Sequence, residues 1–266
     1  VWNEDKYPEH DGRYSEIRNM CNLEMMYCYA DTFLMWEYPP KLLKGLDDIY
    51  VLTYLFDGSD MRCWLELNNI DYDYVDTQSI GLRPEEDIKN TVKDNLTILC
   101  NRTLENTRQQ NNTLSKSWFE KANAESIKKY KSILRSTVVT NKAKKGDVFW
   151  TTYKSYANKL AGDGYRFGVK DCDSKKEGRA FLPCNIRATN DFKDYWLCMY
   201  AMNRFKNPVE VNYMKANGVR VEEDIYVLSE MIQFIFRGCI REGKPMKLLI
   251  LSDRMRRILE EWLNGV

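Results

Sequence analysis

Three polar side chains recur at every fourth position in a stretch that is otherwise strongly apolar. They are Gln233, Arg237 and Arg241, and the stretch runs from residue 224 to residue 241. Its hydrophobicity predicts a core helix, on which positions four apart form one stripe. Arginine keeps its charge and presents parallel donors, which suits a nucleotide triphosphate. The spacing leaves an alternative equally open, in which both guanidinium groups pair with internal carboxylates or reach solvent.

Polar side chains also follow several runs that the sequence predicts as buried strands. They come after DVFW, after FLPC and after LLIL. Strand ends are commonly polar, but in parallel sheets ligands bind beyond the carboxyl ends of the strands, so we expect these groups to share one edge. Together with the polar stripe they predict a site for a polyphosphate or a nucleic acid. The residues are Thr151, Thr152, Lys154, Asn185, Arg187, Thr189, Asn190, Ser252, Asp253 and Arg254.

The order of the elements predicts the architecture that positions these groups. From residue 94 onward, short uncharged runs alternate with helical stretches. This alternation indicates an α/β fold with a mostly parallel, doubly wound sheet and helices on both faces. The predicted strands are 96–101, 147–153, 181–190 and 246–251. One predicted helix begins near residue 114, and three others cover 192–205, 224–241 and 254–263.

The amino-terminal residues contain fewer elements. Residues 21–36 are dense in apolar and aromatic groups and predict a buried helix that ends before Pro39 and Pro40. Residues 49–56 carry no charge and predict a strand buried on both faces. Residues 70–77 alternate apolar with acidic positions and predict a strand nearer the edge of a sheet.

These elements predict a division of the chain into domains. Residues 1–80 hold too few elements for a whole α/β domain, so we expect them to be the incomplete end of a first domain. Residues 81–93 are polar and predict a linker. Residues 94–266 then form a second and complete domain.

Composition argues against several classes of protein. No run of 18 apolar residues without charge occurs, and the first residues are acidic and polar, so we expect neither a membrane span nor a signal peptide. The 8 cysteines are scattered, mostly within apolar runs, which predicts reduced thiols and a cytoplasmic protein. The single histidine, His10, and the absence of a CxxC pair argue against a zinc site.

The charge of the chain is unevenly distributed although the net charge is only +1. Residues 1–100 hold 9 Lys and Arg against 20 Asp and Glu, whereas residues 101–145 hold 11 against 3. The basic segment is a candidate for contact with the phosphates of a nucleic acid, and a solvated helix face is the more ordinary explanation.

Five segments in a fixed order carry a resemblance to a known family. The order resembles that of the carboxyl-terminal RecA-like half of superfamily 2 helicases, and is most similar to divergent helicase-like proteins of bacteriophages and mobile elements. The segments are WTTYK (150–154), PCNIRATN (183–190), NRFKNP (203–208), YVLSEMIQFIFRGCIR (226–241) and LSDRMRRILEEWL (251–263).

This resemblance implies roles for particular residues. The helix with Gln233, Arg237 and Arg241 is similar to motif VI, which would make the arginines fingers that reach the γ-phosphate of ATP across a cleft between domains. The segment with Arg187, Thr189 and Asn190 is similar to motif V, which contacts nucleic acid. Thr151, Thr152 and Lys154 would add to the surface that binds nucleic acid. Residues 52–59 are similar to the strand that bears motif III in the first RecA-like half.

Two departures from the family pattern limit what the chain could do alone. Arg237 and Arg241 are four positions apart, whereas the common motif VI has its arginines three apart. More seriously, no GxxxxGK[ST] phosphate loop occurs in these residues, so neither ATP nor Mg²⁺ would have its main ligands here.

The sequence therefore predicts the carboxyl-terminal portion of an ATP-dependent helicase or translocase. Its partners would be DNA or RNA and an amino-terminal RecA-like domain of the same chain. The alternative is a module without catalytic activity that keeps the RecA-like fold and binds nucleic acid or another partner.

Overall fold

The structure is a computed structural model, and it describes residues 2–6, 14–166, 168, 180–184 and 191–265. The amino-terminal region contains a helix, a two-stranded antiparallel hairpin and a second helix. Their bounds are Ser15–Asn22 for α1, Met26–Tyr29 for β1, Phe33–Trp36 for β2 and Asp60–Leu67 for α2.

The remaining elements alternate between helices and strands. The strands are Leu96–Ile98 (β3), Val148–Thr151 (β4), Leu197–Tyr200 (β5) and Met246–Ile250 (β6). The helices are Glu85–Asn95 (α3), Arg102–Glu105 (α4), Lys116–Lys121 (α5), Ala124–Thr140 (α6), Ala157–Leu160 (α7), Pro208–Ala216 (α8), Glu223–Ile235 (α9) and Asp253–Asn264 (α10).

The last four strands form one parallel sheet in the order β3-β6-β5-β4. Beyond β4, Phe181 pairs with Trp150 in a single parallel bridge. Because all strands run the same way, they begin at one edge of the sheet and end at the opposite one. We refer to these as the amino edge and the carboxyl edge.

Helices cover both faces of this sheet. On one face, α3, α9 and α10 pack against side chains such as Phe149, Tyr200 and Ile250. On the other face, α4 to α7 pack against side chains such as Trp150 and Met199. The predicted α/β class, with a parallel doubly wound sheet between two helical layers, is confirmed.

The predicted helix over residues 21–36 is wrong. Most of this stretch is the β1-β2 hairpin, in which the chain turns through Ala30 and Asp31, both with positive φ. The stretch is dense in aromatic residues, which favour strands as strongly as they favour buried helices. Apolar density alone therefore could not distinguish the two structures.

The two strands predicted at 49–56 and 70–77 are also wrong. Both stretches are irregular, and the side chains of Tyr50 and Leu52 are exposed rather than buried. A strand is stable only when a neighbouring strand satisfies its backbone groups. The runs have strand-like composition, but no strand in the described residues pairs with them.

The predicted linker at 81–93 contains most of α3. This helix places Val92 in the core beside α9 and α10, where its side chain is fully buried. The segment is thus packed against the sheet rather than extended between two units. A boundary between two domains in this part of the chain stays a prediction.

The predicted helix over residues 192–205 is wrong, because this stretch holds the strand β5 (Leu197–Tyr200) between irregular segments. The strand β5 lies in the middle of the sheet with all four side chains buried. A short apolar run flanked by polar residues fits a buried strand as well as a buried helix, and only its neighbours decide. In the run 181–190, Phe181 alone forms a bridge, and residues 185–190 lie outside the described part.

Helix α9 is shorter than the sequence predicts. It ends at Ile235, and Cys239–Glu242 then form a short 3-10 helix. Gly238 lies between them in a tight place, where an added Cβ would come within 2.7 Å of Met246 Sδ and Phe149 Cε1. Only glycine therefore fits where the extended backbone at Gly238 leaves the helix.

The amino-terminal region contacts the sheet domain through the residues around α2. Ser229 Oγ on α9 donates a hydrogen bond of 2.7 Å to the carbonyl oxygen of Tyr54. The guanidinium of Arg62 donates to the carbonyl oxygen of Arg220. Gly58 approaches α9 so closely that an added Cβ would lie 2.4 Å from the backbone nitrogen of Tyr226.

No helix in the described residues combines the length and the apolar character needed to cross a lipid bilayer.

We predict that Gly58→Ala destabilises the protein, because the new methyl group meets backbone atoms that cannot move aside. The expected loss is about 1–3 kcal/mol in the free energy of unfolding, as for other overpacked sites. Gly45→Ala is the control, since a Cβ at Gly45 meets nothing within 4 Å. Thermal and urea unfolding measure both changes, and equal stability of the two variants would show that Gly58 does not pack as described.

Candidate functional site

The carboxyl edge of the sheet brings together polar residues from β4 and β5. Thr152 and Lys154 follow β4, while Asn203 and Arg204 follow β5. The register aligns the last residues of these strands, since Thr151 lies opposite Tyr200. The sequence prediction that Thr151, Thr152 and Lys154 lie at this edge is therefore met by the geometry.

A pocket of about 230 Å³ opens at this edge between the ends of β4 and β5. It combines a hydroxyl, a phenol, a thiol and two cationic groups with two apolar side chains. It is large enough for one phosphate group with its neighbouring atoms, and smaller than pockets that enclose a whole drug-sized ligand. The lining residues are Thr152, Tyr153, Lys154, Pro183, Cys184, Met202 and Arg204.

Two threonine hydroxyls at this edge are buried and have no hydrogen-bond partner in the described part of the chain. Thr151 and Thr152 have almost no exposed surface, and neither Oγ1 atom bonds to another group among the described residues. A buried hydroxyl without a partner is costly, and most buried polar groups in proteins are satisfied. Thr152 lines the pocket, so a bound ligand with an acceptor oxygen could satisfy its hydroxyl.

Arg204 supplies a charged group to the pocket and is itself held by an acid. Its Nη2 lies 2.7 Å from Glu230 Oε2 and donates at 3.4 Å to the hydroxyl of Tyr226. Burial alone would lower the pKa of Arg204, but the negative charge of Glu230 raises it, so the guanidinium stays charged. Its Nε, which is buried, donates to no group in the described part of the chain.

The loop that carries Arg204 is fixed by its neighbours. Asn203 Nδ2 donates to the carbonyl oxygens of Asn111 at 2.8 Å and Thr113 at 3.0 Å. The hydroxyl of Tyr153 donates to the carbonyl oxygen of Asn203 at 2.7 Å. The pocket walls are therefore tied together before any ligand binds, which reduces the entropy lost on binding.

The phenol and the thiol that line the pocket keep their protons at neutral pH. Burial raises the pKa of the Tyr153 phenol to about 12 and that of the Cys184 thiol to about 11. Neither group contributes negative charge at pH 7. The charge of the lining residues is then that of Lys154 and Arg204.

The sequence prediction missed Arg204, Asn203 and Cys184. The signal was present, because the polar pair at 203–204 follows a short apolar run as polar residues follow other buried strands. Assignment of that run to a helix hid the signal. The prediction that one site also includes the stripe of Gln233, Arg237 and Arg241 is contradicted by the placement of these residues.

Arg237 and Arg241 lie at the amino edge, on the opposite side of the sheet from the pocket. They fall between the end of α9 and the start of β6. Nearby, the backbone nitrogen of Cys239 donates to the carbonyl oxygen of Tyr195, which precedes β5. A helix that joins two parallel strands must return to the edge at which they begin, which is the physical reason for this placement.

The three residues do not form one helical stripe. Gln233 lies in the last turn of α9, is exposed, and donates to Ser229 Oγ at 3.1 Å. Arg237 follows the helix and is half-buried, and Arg241 is exposed in the short 3-10 helix.

Three of the residues predicted to bind nucleic acid, Arg187, Thr189 and Asn190, lie outside the described residues. The turns after β3 and β4 contain no glycine, so any phosphate at this edge would be bound by side chains rather than by a backbone cradle. Nowhere in the described ranges do three or more His, Cys, Asp or Glu side chains cluster as a metal site would require.

Comparison with known proteins adds to this picture. Residues 90–263 match a family model described as the YonV C-terminal Rossmann-like domain. The chain belongs to this family. The matched residues include the whole parallel sheet, and a Rossmann-like YonV domain agrees with a doubly wound sheet between two helical layers.

A second family model, described as the YonV middle domain, matches residues 1–36. The SPbeta prophage-derived protein YonV of Bacillus subtilis (strain 168) is 30% identical to this chain over 277 residues, and the match covers 100% of the chain. The chain spans 65% of the length of that curated relative. No solved structure matches the chain.

We predict that Thr151→Val leaves the protein as stable as before or stabilises it by about 1 kcal/mol, because valine has the shape of threonine without the unsatisfied hydroxyl. The control is Ser229→Ala, which removes a hydroxyl with two partners and is expected to cost about 1 kcal/mol. Urea unfolding measures both variants. A clear loss of stability in Thr151→Val would mean that this hydroxyl is satisfied after all.

Proposed function

We propose that this YonV-family domain is a nucleic-acid-binding module of a longer protein, and that it binds phosphate groups of the strand in the pocket at the carboxyl edge. The observation that carries the proposal is the pocket itself. It places Thr152 Oγ1 and Arg204 Nε, two donors that have no partner among the described residues, beside the charged groups of Arg204 and Lys154. Phosphate oxygens accept hydrogen bonds and carry negative charge, so they match both features.

The protonation states support an anionic ligand over a cationic one. At neutral pH the raised pKa values keep Tyr153 and Cys184 uncharged. Glu230 is engaged with Arg204 at 2.7 Å on the side of α9. A phosphate that approaches the pocket therefore meets hydrogen-bond donors and no negatively charged side chain among the described lining residues.

The basic segment supports a ligand longer than a single phosphate. Helix α5 packs beside the pocket, because Phe119 stacks on Tyr156 with ring centroids 5.0 Å apart and meets the ring of Tyr153 edge-on at 6.1 Å. Lys116 and Lys121 lie exposed on this helix. A strand bound in the pocket could extend along α5 and meet these lysines, which is how proteins follow a phosphate backbone.

The helicase interpretation stays a prediction with less support than the binding module. Its finger residues, Arg237 and Arg241, lie at the edge opposite the pocket. Binding of ATP and Mg²⁺, and a partner RecA-like domain, would be properties of the longer protein. Loss of ATP turnover on Arg241→Ala in that longer protein would favour this interpretation. The free thiols support a cytoplasmic protein as part of the proposal.

We predict that Lys154→Gln weakens binding of fluorescein-labelled DNA and RNA oligonucleotides at least fivefold and lowers the salt slope by about 1, because one phosphate contact is lost. Thr152→Val should weaken binding about fivefold through the loss of one hydrogen bond. Neither change should lower thermal stability. Fluorescence anisotropy titrations at several salt concentrations measure both effects and show whether DNA or RNA binds better.

The matched control is Arg241→Gln, which removes an exposed cation at the amino edge. Its effect on binding should be less than twofold. An equal loss of affinity in Arg241→Gln and Lys154→Gln would indicate diffuse charge rather than a pocket. Binding that does not change between low and moderate salt would contradict the proposal.

A further inference from the structure

The hairpin β1-β2 has one face that rests on the sheet domain. In an antiparallel pair, residues directly opposite each other lie on the same face. The pairs Tyr27 with Met35 and Tyr29 with Phe33 therefore share one face. The ring of Tyr29 meets the ring of Tyr213 on α8 edge-on, with centroids 5.5 Å apart. This contact identifies the inner face, on which Tyr27 and Phe33 are still 44% and 42% exposed.

The opposite face of the hairpin is apolar and largely exposed, with only Met26 half-buried among its four residues. It carries the pairs Met26 with Trp36 and Cys28 with Leu34. Leu34 is 61% exposed, Trp36 is 53% exposed, and Cys28 is also exposed. Large apolar side chains grouped on one face of a sheet are typical of a surface that another part of a protein covers.

The hairpin also lacks the neighbours that a stable sheet requires. Within the residues that the structure describes, neither β1 nor β2 pairs with a third strand. A two-stranded hairpin is marginal in water, and stability needs more strands or packing on a hydrophobic face. The inner face has such packing at Tyr213, whereas the outer face carries exposed apolar side chains.

The family comparison indicates what covers this face. The match to the YonV middle domain includes residues 1–36 and so ends at Trp36, the last residue of β2. The hairpin is thus part of the middle domain by family, although it packs on the C-terminal domain. The B. subtilis relative is longer than this chain, which spans 65% of it, so it has additional residues that could complete such a domain.

We propose that the outer face of the hairpin, formed by Cys28, Leu34 and Trp36, is the docking surface for the rest of the middle domain in the full-length protein. The hairpin then joins two domains, with one face in each core. The occupant is an apolar surface of the same polypeptide, and it makes the hairpin part of a larger sheet or layered core.

Cysteine labelling tests this proposal with a control inside the chain. Cys28 lies on the outer face, and Cys100 is an exposed cysteine after β3 in the sheet domain. A maleimide probe is added in pulses to the 266-residue chain and to a longer chain that carries a whole middle domain, and peptide mass spectrometry gives the rate at each thiol. In the longer chain we expect Cys28 to react at least tenfold more slowly, with Cys100 unchanged.

Two outcomes would overturn the proposal. The first is an equal labelling rate of Cys28 in both chains, since the face would then be exposed in the full-length protein. The second is slow labelling of Cys28 in the 266-residue chain together with a dimer in analytical ultracentrifugation. A second copy of the chain, rather than the middle domain, would then cover the face.

A stability comparison provides an independent measurement. Leu34→Thr combined with Trp36→Thr should leave the Tm of the 266-residue chain within about 2 °C, because both side chains are exposed there. In the longer chain the same pair should lower the Tm of the middle domain by roughly 10 °C, as for truncations of buried side chains. Val139→Thr, at an exposed apolar position on α6, is the control and should change neither chain. No difference between the two chains would contradict the docking.

Discussion

Burial of the central sheet on both faces is the constraint on which the rest of this structure depends. Every side chain of β4 and β5 is buried, and two helical layers cover the sheet. Polar chemistry is therefore confined to the edges, where strands end and backbone direction changes. Thr151 and Thr152 stand at that transition, with buried hydroxyls that bond to no group among the described residues. Their unsatisfied state marks the carboxyl edge as a place where a ligand could bind.

The cations of the carboxyl edge are balanced by acids that come from different parts of the chain. Arg204 pairs with Glu230 of α9, and Lys206, which is buried, lies 2.5 Å from Asp60 at the start of α2. Asp60 belongs to the acidic amino-terminal part of the chain, so this pair links that part to the site. Removal of Asp60 would leave the buried ammonium of Lys206 without its acid, and removal of Glu230 would do the same to the half-buried guanidinium of Arg204. These ion pairs hold the carboxyl edge in shape. A ligand there would meet hydrogen-bond donors such as Arg204 Nε rather than uncompensated charges.

The amino-terminal region has two different relations to the sheet domain. Around α2 this region is packed tightly. Gly58 lies against the backbone of α9, and Arg62 donates a hydrogen bond to the carbonyl oxygen of Arg220 in the loop before α9. In the hairpin it touches α8 through one face only, and the other face is apolar and exposed. Helix α8 contacts the hairpin through Tyr213, and α9 contacts the carboxyl edge through Glu230, so two consecutive helices connect the two proposed surfaces.

The sequence by itself determined the class of fold, three of the four parallel strands and the polar character of the carboxyl edge, because these depend on local apolar runs and on the residues that follow them. It determined helix α10 as well, predicted over 254–263 and found over Asp253–Asn264. Only the tertiary structure decided that residues 192–205 hold a central strand, that 49–56 has no strand to pair with, and that Arg237 lies across the sheet from Thr152. The physical reason is that pairing, burial from both sides and the edge to which a connection returns are set by contacts between distant residues, and no local pattern records them.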